Sequence, residues 1–288
     1  RSALFVPGSN ARALQKAAEL PVDAVLLDLE DAVLPGAKDG ARTAVLAAVA
    51  ARPFGRREVV LRINGLDTAW GLADLRAAAT SGADGVLLSK TGTPAALITA
   101  ARVLDELGAP PELRLWSMAE TPRGVLDIDA IAQCTPRLAV LVMGTADLGK
   151  ALRIPEQPGR AALLPALAHC ILAARAAGLD ILDGVYMRLA DPAGFRAECV
   201  QGRHLGFDGK TLIHPGQVDA CNEVFGVSDS EAAAATELIA AWESAAATGA
   251  GVAVHAGRLV ERLHVEDARR QLALHRAIRH HSLPARPA

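Results

Sequence analysis

Aromatic side chains are scarce in this sequence: five Phe, three Trp and one Tyr make up 3% of its 288 residues. The formal net charge of −2 provides no basic excess. Proteins that bind nucleic acid need stacking rings and a basic face, so this composition argues against a nucleic-acid partner. The sequence also lacks an uncharged apolar run of 18 residues, so we expect no membrane-spanning helix.

Cysteine is rare as well, and the four residues form no CxxC pair and have no histidine at zinc-ligand spacing. A zinc knuckle is therefore excluded. Cys134, Cys170, Cys199 and Cys221 are predicted to be reduced core residues, and a catalytic thiol is the alternative. Since the chain also shows no signal-like apolar segment, we predict a cytoplasmic protein.

Short apolar runs alternate with Ala- and Leu-rich helical stretches along most of the chain. A run that is apolar throughout is typical of a strand buried on both faces, as in a parallel sheet covered by helices. Eight runs are predicted to be strands: 3–6, 24–27, 59–63, 85–88, 113–116, 139–143, 180–183 and 206–210. Helices are predicted for 11–20, 71–81, 93–107 and 160–177, and several end at a glycine, namely Gly82, Gly108 and Gly178.

Eightfold repetition of strand and helix predicts an α/β protein with a (β/α)₈ TIM barrel. An open doubly wound sheet is the alternative, but it would favour a GxGxxG motif after the first strand, where this chain has Pro7-Gly8-Ser9-Asn10. We assign 1–225 to the barrel and 226–279 to a C-terminal helical lid extension, and we expect a frayed tail at 280–288. Within the extension, 230–248 and 259–274 are predicted to be helical and 252–254 strand-like.

Two acidic residues follow adjacent predicted strands, at the edge where a barrel carries its active site. Glu120 follows the fifth strand and Asp147 follows the sixth. Neighbouring strands lie roughly 5 Å apart, so both carboxylates could share one Mg²⁺, with Mn²⁺ as a possible substitute. Alternatively, each acid belongs to the start of a helix, where the dipole favours negative charge.

A basic residue interrupts the apolar third strand. Arg62 is either paired with Asp28 or Glu30 inside the barrel mouth, or it is a forked donor to a substrate carboxylate or enolate oxygen. Asp28, Glu30 and Asp31 could orient Arg62 or Lys90 and hold a metal-bound water. A solvated turn is the alternative for these three acids.

Three weaker signals remain. Gly144-Thr145-Ala146 presents backbone N–H groups before a predicted helix and could form an anion nest for a carboxylate. Arg12 and Lys16 lie one turn apart on the first helix, and either meet a phosphorylated cofactor or form a solvated basic face. His214 is either a general base or fixes a loop.

These segments, taken in order, resemble the HpcH/HpaI aldolase and citrate lyase superfamily, and within it the branch of citrate lyase β-subunits and malyl-CoA or citramalyl-CoA lyases. The resemblance runs from about residue 2 to about 275. The segments that carry it are LFVPGS (4–9), DLEDAV (28–33), Lys38, Ala41-Arg42, LRINGLDT (61–68), KT (90–91), AETP (119–122), GTADL (144–148), DGKTLIHP (208–215) and GAGV (249–252).

The resemblance implies a (β/α)₈ barrel with a Mg²⁺ site and a CoA-thioester substrate, cleaved reversibly into an acyl-CoA and a 2-oxo acid. It places the metal carboxylates on Glu120 and Asp147, and the active-site arginine on Arg62. It further implies that Glu30 and Asp31 hold metal-bound water. On the same ground, Arg12 and Lys16 bind the CoA phosphates. For the reaction so implied, the nest at Gly144 and Thr145 could hold the carboxylate.

The chain departs from the family pattern at the residue that handles the acyl proton. Several lyases of the family carry an Asp there, in a Gly-(Lys/Arg)-Met-(Val/Ile)-Asp stretch of the lid that often reaches a neighbouring protomer. Here the stretch is Gly257-Arg258-Leu259-Val260-Glu261. Glu261 is therefore the candidate base, and the alternative for it is an exposed helix residue paired with Arg258 or Arg262. A homo-oligomer with lid exchange is implied.

Two further activities stay open. A malyl-CoA-type thioesterase would hydrolyse the thioester on the same metal site. A β-subunit of a larger citrate lyase complex would act on an acyl group attached to a carrier protein.

Overall fold

The structure, a computed structural model, describes residues 1–155 and 159–281. The chain divides into two compact units, Arg1–Val224 and the remainder from Phe225 onward. Most of the expected frayed tail, at 282–288, lies outside the described residues. No helix in the described part of the chain is both long and apolar enough to cross a membrane.

The first unit is a closed barrel of eight parallel strands in sequential order, with the eighth pairing back to the first. The strands are β1 Ser2–Pro7, β2 Ala24–Asp28, β3 Glu58–Ile63, β4 Gly85–Leu88, β5 Arg114–Ala119, β6 Leu138–Met143, β7 Asp180–Asp183 and β8 Gly209–Leu212. The predicted (β/α)₈ barrel is therefore confirmed.

Helices connect the strands and cover the barrel. They are α1 Ala11–Ala17, α2 Lys38–Ala50, α3 Gly71–Ala79, α4 Pro94–Glu106, α5 Pro122–Leu126, α6 Ile128–Ala132, α7 Thr145–Ala151, α8 Leu164–Ala176, α9 Pro192–Leu205 and α10 Val218–Val224. The predicted stops at Gly82, Gly108 and Gly178 are left-handed, with φ values of 80°, 67° and 70°. Such a conformation costs glycine nothing and ends a helix.

Alternate side chains of the strands fill the barrel interior. The buried cluster there includes Leu26, Val60, Leu87, Trp116 and Val142, one each from β2 to β6. The intervening residues, such as Val25, Leu61 and Leu141, are also fully buried. Because both faces of each strand are covered, the strands have continuous apolar sequences rather than alternating ones.

An aspartate before a strand repeats at the N-terminal edge of the barrel. The carboxylates of Asp23, Asp84 and Asp208 accept the backbone N–H of Ser2, Val59 and Ile181 on the preceding strand, at 3.4, 2.8 and 2.8 Å. The next strand begins directly after each aspartate. The prediction of the eighth strand at 206–210 was wrong at its start. Gly206 (φ 106°) still terminates α9, and the strand begins at Gly209, directly after Asp208.

The second unit contains α11 Asp229–Ala247, an antiparallel hairpin of β9 Ala253–His255 and β10 Arg258–Val260, and α12 Arg262–His281. The prediction of a helix from residue 259 was wrong at its start. Ala256 and Gly257 have φ values of 47° and 75° and reverse the chain, so the residues after them pair as a strand. The role of this unit as a lid stays a prediction.

We expect Asp208→Ala to lower the free energy of unfolding by about 2 kcal/mol, because it leaves the Ile181 N–H without its charged acceptor. It also removes an ion pair with Arg175 at 2.8 Å. Urea unfolding followed by far-UV circular dichroism measures the change, with Glu112→Ala at an exposed loop position as the control. Equal urea midpoints for the two variants would contradict this role for Asp208.

Candidate active site

A cavity of about 420 Å³ opens at the C-terminal ends of the barrel strands. Every residue that lines it belongs to the first unit. The lining residues are Phe5, Pro7, Asp28, Asp31, Ala32, Arg62, Met118, Glu120, Met143, Gly144, Ala146, Asp147, Val185, Met187, Thr211 and Ile213. The structure thus brings seven of the candidate residues to one cavity, namely Asp28, Asp31, Arg62, Glu120, Gly144, Ala146 and Asp147.

Arg62 is buried and already carries a forked ion pair. Its Nε donates to Oδ1 of Asp28 at 2.7 Å, and its Nη2 donates to Oδ2 at 2.5 Å. Its Nη1 lies 3.3 Å from Glu30 and 3.7 Å from Asp31. Burial lowers the pKa of Arg62, but the hydrogen bonds and charges of these carboxylates outweigh it and raise the pKa overall. Since Asp28 takes the Nε and Nη2 edge, Nη1 is the nitrogen left to meet a ligand.

The acidic segment after β2 is held by the protein at the buried Asp28 and Glu30, whereas Asp31 is exposed in the turn that follows. Asp28 accepts the N–H groups of Glu30 and Ala32 at 2.8 and 3.2 Å. The buried Lys38 donates from Nζ to the carbonyls of Leu29 and Glu30 at 2.9 and 2.7 Å. The sequence pointed to Lys38 only through the family resemblance. Its role in binding these two carbonyls could not be predicted from the sequence.

Lys90 links the acidic segment to Glu120. Its Nζ contacts Glu30 at 2.5 Å and Asp31 at 3.2 Å, while its backbone N–H donates to Oε1 of Glu120 at 2.5 Å. The residue has a φ of 52°, which side-chain-bearing residues rarely adopt. The left-handed backbone at the end of β4 presents the amide to Glu120 and the ammonium to Glu30. Such conformations cluster at functional sites.

Glu120 is almost fully buried, at 2% exposure, and has no ion-pair partner among the described residues. Burial raises its pKa to about 7, and the charge of nearby Asp147 adds to this rise. Its side chain lies against Gly144, where a Cβ atom would collide with the carboxylate. A buried carboxylate without a cation is costly, so the position favours a bound cation.

Asp147 lies in the first turn of α7, is half-buried, and lines the same cavity as Glu120. In the described parts of the chain, no three His, Cys, Asp or Glu residues form a group that could hold a metal. Asp28 and Asp31, the other acids that line the cavity, contact Arg62, which leaves Glu120 and Asp147 as two carboxylates without a complete protein cage. This donor set suits Mg²⁺, which uses one or two carboxylates and keeps water or substrate oxygens, and it does not suit structural zinc.

The predicted anion nest is smaller than expected. The N–H of Gly144 donates to the carbonyl of Ala119 at 3.1 Å, because Gly144 extends the ladder between β5 and β6 before α7 begins. The first-turn N–H groups of Thr145 and Ala146 remain. The Thr145 side chain faces Gly184 and lines an adjoining pocket of about 270 Å³ instead of the main cavity.

Several predicted residues lie outside the cavity. Arg12 and Lys16 are on the exposed face of α1 and form no ion pair within the described residues. Nδ1 of His214 accepts the N–H of Gly216 at 3.0 Å, so the histidine fixes its loop. The four cysteines are free, and burial raises the pKa of Cys170 to about 12, which makes it a poor nucleophile.

Glu261 belongs to the second unit, between β10 and α12, and is exposed. Its N–H donates to Nδ1 of His264 at 3.0 Å. The neighbouring Arg262 pairs with Glu266, at 3.3 Å, and not with Glu261. The Glu261 carboxylate therefore has no ion pair in the described part of the chain, and its role as a base stays a prediction.

Comparisons with known proteins agree on one family. A sequence profile described as HpcH/HpaI aldolase/citrate lyase matches residues 1–215. A protein of Cereibacter sphaeroides named (3S)-malyl-CoA thioesterase is 47% identical over 278 residues, covering 96% of this chain and 95% of that protein. The citrate lyase subunit beta of Escherichia coli is 36% identical over 282 residues, covering 96% and 93%.

Among solved structures, CitE of Mycobacterium tuberculosis in complex with magnesium, acetoacetate and coenzyme A matches with a TM-score of 0.77 and 27% identity. The match covers 95% of this chain and 97% of that one.

We expect Asp147→Asn and Glu120→Gln each to weaken Mg²⁺ binding at least about 10-fold, because either change removes one of two anionic ligands. Isothermal titration calorimetry with Mg²⁺, or electron paramagnetic resonance with Mn²⁺, measures this. Asp219→Asn, at an exposed position on α10, is the matched control. Unchanged Mg²⁺ affinity in both site variants would remove these acids from the metal site.

Proposed function

The chain belongs to the HpcH/HpaI aldolase/citrate lyase family, and from this premise we propose that it is a Mg²⁺-dependent CoA-ester carbon–carbon lyase. The reaction would cleave a 3-hydroxyacyl-CoA, such as a citryl-, malyl- or citramalyl-CoA, into an acyl-CoA and a 2-oxo acid. The observation that carries this proposal is the placement of Glu120, Asp147 and Arg62 around one cavity.

Glu120 and Asp147 would hold the cation, with Mn²⁺ as a possible substitute for Mg²⁺. When bound, the cation supplies Lewis acidity toward the oxygens of a 2-oxo carboxylate. The fit rests on the chemistry of the donors: a buried carboxylate without an ion-pair partner lies beside a second carboxylate in the same cavity. The complex of the Mycobacterium tuberculosis neighbour with magnesium supports this assignment.

The other groups at the barrel mouth would stabilise charge, orient water and bind the substrate carboxylate. Arg62 would direct its Nη1, the nitrogen that Asp28 does not occupy, toward the oxygen that gains negative charge during C–C cleavage. This type of electrostatic stabilisation contributes most in many enzymes. Glu30 and Asp31 hold Arg62 and Lys90 in place through the ion pairs described above, and they would orient water on the metal. The N–H groups of Thr145 and Ala146 would receive the substrate carboxylate.

The acyl part of the substrate would be carried by coenzyme A. Arg12 and Lys16 are exposed and without ion pairs in the described part of the chain, as residues that receive phosphate groups need to be. The neighbour bound to coenzyme A supports this substrate class. Proton transfer at the acyl carbon is assigned to Glu261 on the resemblance alone, and a homo-oligomer with lid exchange is proposed on the same ground.

Thioester hydrolysis on the same metal site is the second candidate. The observation that favours it is the 47% identity to a protein named (3S)-malyl-CoA thioesterase. Glu261, in place of the family's Asp, would place its carboxylate farther along the side chain. A catalytic group displaced by about 1 Å can lose on the order of 10²-fold in rate, so this replacement would disfavour C–C cleavage relative to hydrolysis. The 36% identity to a citrate lyase β-subunit supports a third candidate, a complex subunit acting on a carrier-bound acyl group.

One assay separates these activities. The protein is incubated with Mg²⁺ and malyl-CoA or citramalyl-CoA, and phenylhydrazine traps any 2-oxo acid. We expect a trapped 2-oxo acid together with an acyl-CoA. Free CoA without 2-oxo acid would identify a hydrolase, and turnover restricted to a carrier-bound acyl group would identify a complex subunit. No product from any of these thioesters would contradict the proposal.

We also expect Arg62→Lys to lower turnover at least about 10²-fold, because the single nitrogen of an ammonium cannot reproduce the planar fork that binds both oxygens of Asp28 while a separate nitrogen faces the substrate. Arg102→Lys, on the exposed face of α4, is the control for the chemical change itself. Retention of full activity in Arg62→Lys would assign Arg62 a structural role.

A further inference from the structure

We propose that Gly184 and a buried charge cluster bonded to it position the first turn of α7, and with it the proposed metal ligand Asp147. The inference rests on the proposed function, because it concerns how one of the two carboxylates is held toward the cation. Gly184 does not itself line the cavity, so it would be a positioning residue. The cluster, here called the β7–β8 charge cluster, consists of Arg160, Asp183, Glu198 and Lys210.

The β7–β8 charge cluster is paired internally and shielded from water. Oδ1 of Asp183 accepts from Nη1 of Arg160 at 2.5 Å, and Oδ2 of Asp183 accepts from Nζ of Lys210 at 3.0 Å. Lys210 also donates to Oε1 of Glu198 at 2.7 Å. Asp183 and Lys210 are both 0% exposed. Because a buried charge that loses its partner is costly, the cluster resists any shift of Asp183 relative to β8.

The cluster fixes the backbone at the end of β7. Leu182 belongs to the barrel interior, so the next side chain, Asp183, points away from it. Oδ1 of Asp183 also accepts the N–H of Gly184 at 2.8 Å, and the Asp183 carbonyl accepts the hydroxyl of Thr211 at 3.0 Å. Thr211 lines the cavity from the neighbouring strand β8. Asp183 therefore links charges outside the barrel to the backbone that borders the cavity.

Gly184 brings the end of β7 into direct contact with the start of α7. A Cβ atom at this position would overlap the Thr145 side chain and the carbonyl oxygen of Met143. The φ angle of Gly184 is not positive, so the lack of space, and not the backbone conformation, requires glycine here. Thr145 is the first residue of α7, and Asp147 follows in the same turn. A shift at the end of β7 would thus displace the turn that carries Asp147.

Few other contacts restrain α7. Of its seven residues, only Leu148 is buried, whereas Asp147 is half-buried and Ala146 is exposed. The first turn therefore takes much of its position from the close contact between Thr145 and Gly184. Groups that orient a metal ligand without touching the metal typically change metal affinity by about 10- to 100-fold when they are replaced.

Gly184→Ala tests the contact with α7. We expect this variant to bind Mn²⁺ at least about 10-fold more weakly than the wild type, measured by electron paramagnetic resonance on the full chain without substrate. Gly149→Ala is the matched control, because it adds the same methyl group to α7 itself at a position where the added atom meets open space. Its Mn²⁺ affinity should equal that of the wild type.

A double variant tests whether the overlap with Thr145 is the cause. Thr145→Ala removes the side-chain atoms that the added Cβ would meet and keeps the backbone N–H. Combined with Gly184→Ala, it should restore part of the lost Mn²⁺ affinity, and the Met143 carbonyl, which stays crowded, prevents full recovery. A loss that the double variant retains in full would overturn the inference.

Lys210→Met tests the charge cluster. Methionine is unbranched like lysine but uncharged, so Asp183 and Glu198 would share Arg160 as the one cation of the cluster. Removing a positive charge would by Coulomb attraction alone strengthen the binding of a cation nearby. A loss of position would weaken it, and we expect Mn²⁺ to bind about 10-fold more weakly. The sign of the change therefore distinguishes the two effects.

The outcomes separate this inference from the proposed function. Thermal melting establishes which variants are folded at the temperature of the titration. Wild-type Mn²⁺ affinity in folded Gly184→Ala overturns the inference, and so does unchanged or tighter binding by folded Lys210→Met. If Lys210→Met does not fold, Gly184→Ala and the double variant decide. If the wild type binds no Mn²⁺, or Asp147→Asn binds it as tightly as the wild type, the proposed metal site itself fails, and the inference fails with it.

Discussion

The forked ion pair between Arg62 and Asp28 is the interaction on which the rest of the site depends. It joins β2 to β3 inside the barrel mouth, where both side chains are almost completely buried. Removing one partner of such a pair leaves an uncompensated buried charge, which typically lowers the free energy of unfolding by about 3–5 kcal/mol. The same arginine restrains Glu30 and Asp31, so the acidic segment after β2 takes its position from this pair.

From that pair a continuous series of contacts reaches the proposed metal ligands. Glu30 binds the ammonium of Lys90, and the backbone N–H of Lys90 binds Glu120. One residue in a left-handed conformation therefore connects the cationic part of the site with its carboxylates. The arrangement explains how Arg62 and an excess of acidic side chains coexist at the barrel mouth. The arginine is paired on one edge, and the excess negative charge lies where a divalent cation would neutralise it.

The strands and the residues at their C-terminal ends could be predicted from the sequence, because they follow from hydrophobic periodicity and from position along the barrel. Features set by the hydrogen bonds and dihedral angles of single residues could not be predicted. Continuous apolar runs marked the eight strands, and strand ends marked Arg62, Glu120 and Asp147. The eighth strand was displaced because Gly206 was taken as its start, although the aspartate before the strand repeats at Asp23 and Asp84. The sequence does not show that Gly144 uses its N–H on Ala119, nor that Lys90 turns left-handed, because both follow from how β4 and β5 end.

The choice between C–C cleavage and thioester hydrolysis depends on groups other than the Glu120–Asp147 pair. Both reactions place an oxygen that gains charge near a Lewis acid and a donor, and the proposed roles of the two carboxylates and of Arg62 would serve either reaction. They differ in the nucleophile and in the proton: hydrolysis needs an activated water at the thioester carbonyl, whereas C–C cleavage needs an acid that returns a proton to the acyl carbon. If Glu261 is that acid, as proposed, its longer side chain would change the second requirement without changing the proposed metal ligands. Two related enzymes with different reactions could therefore share one barrel mouth.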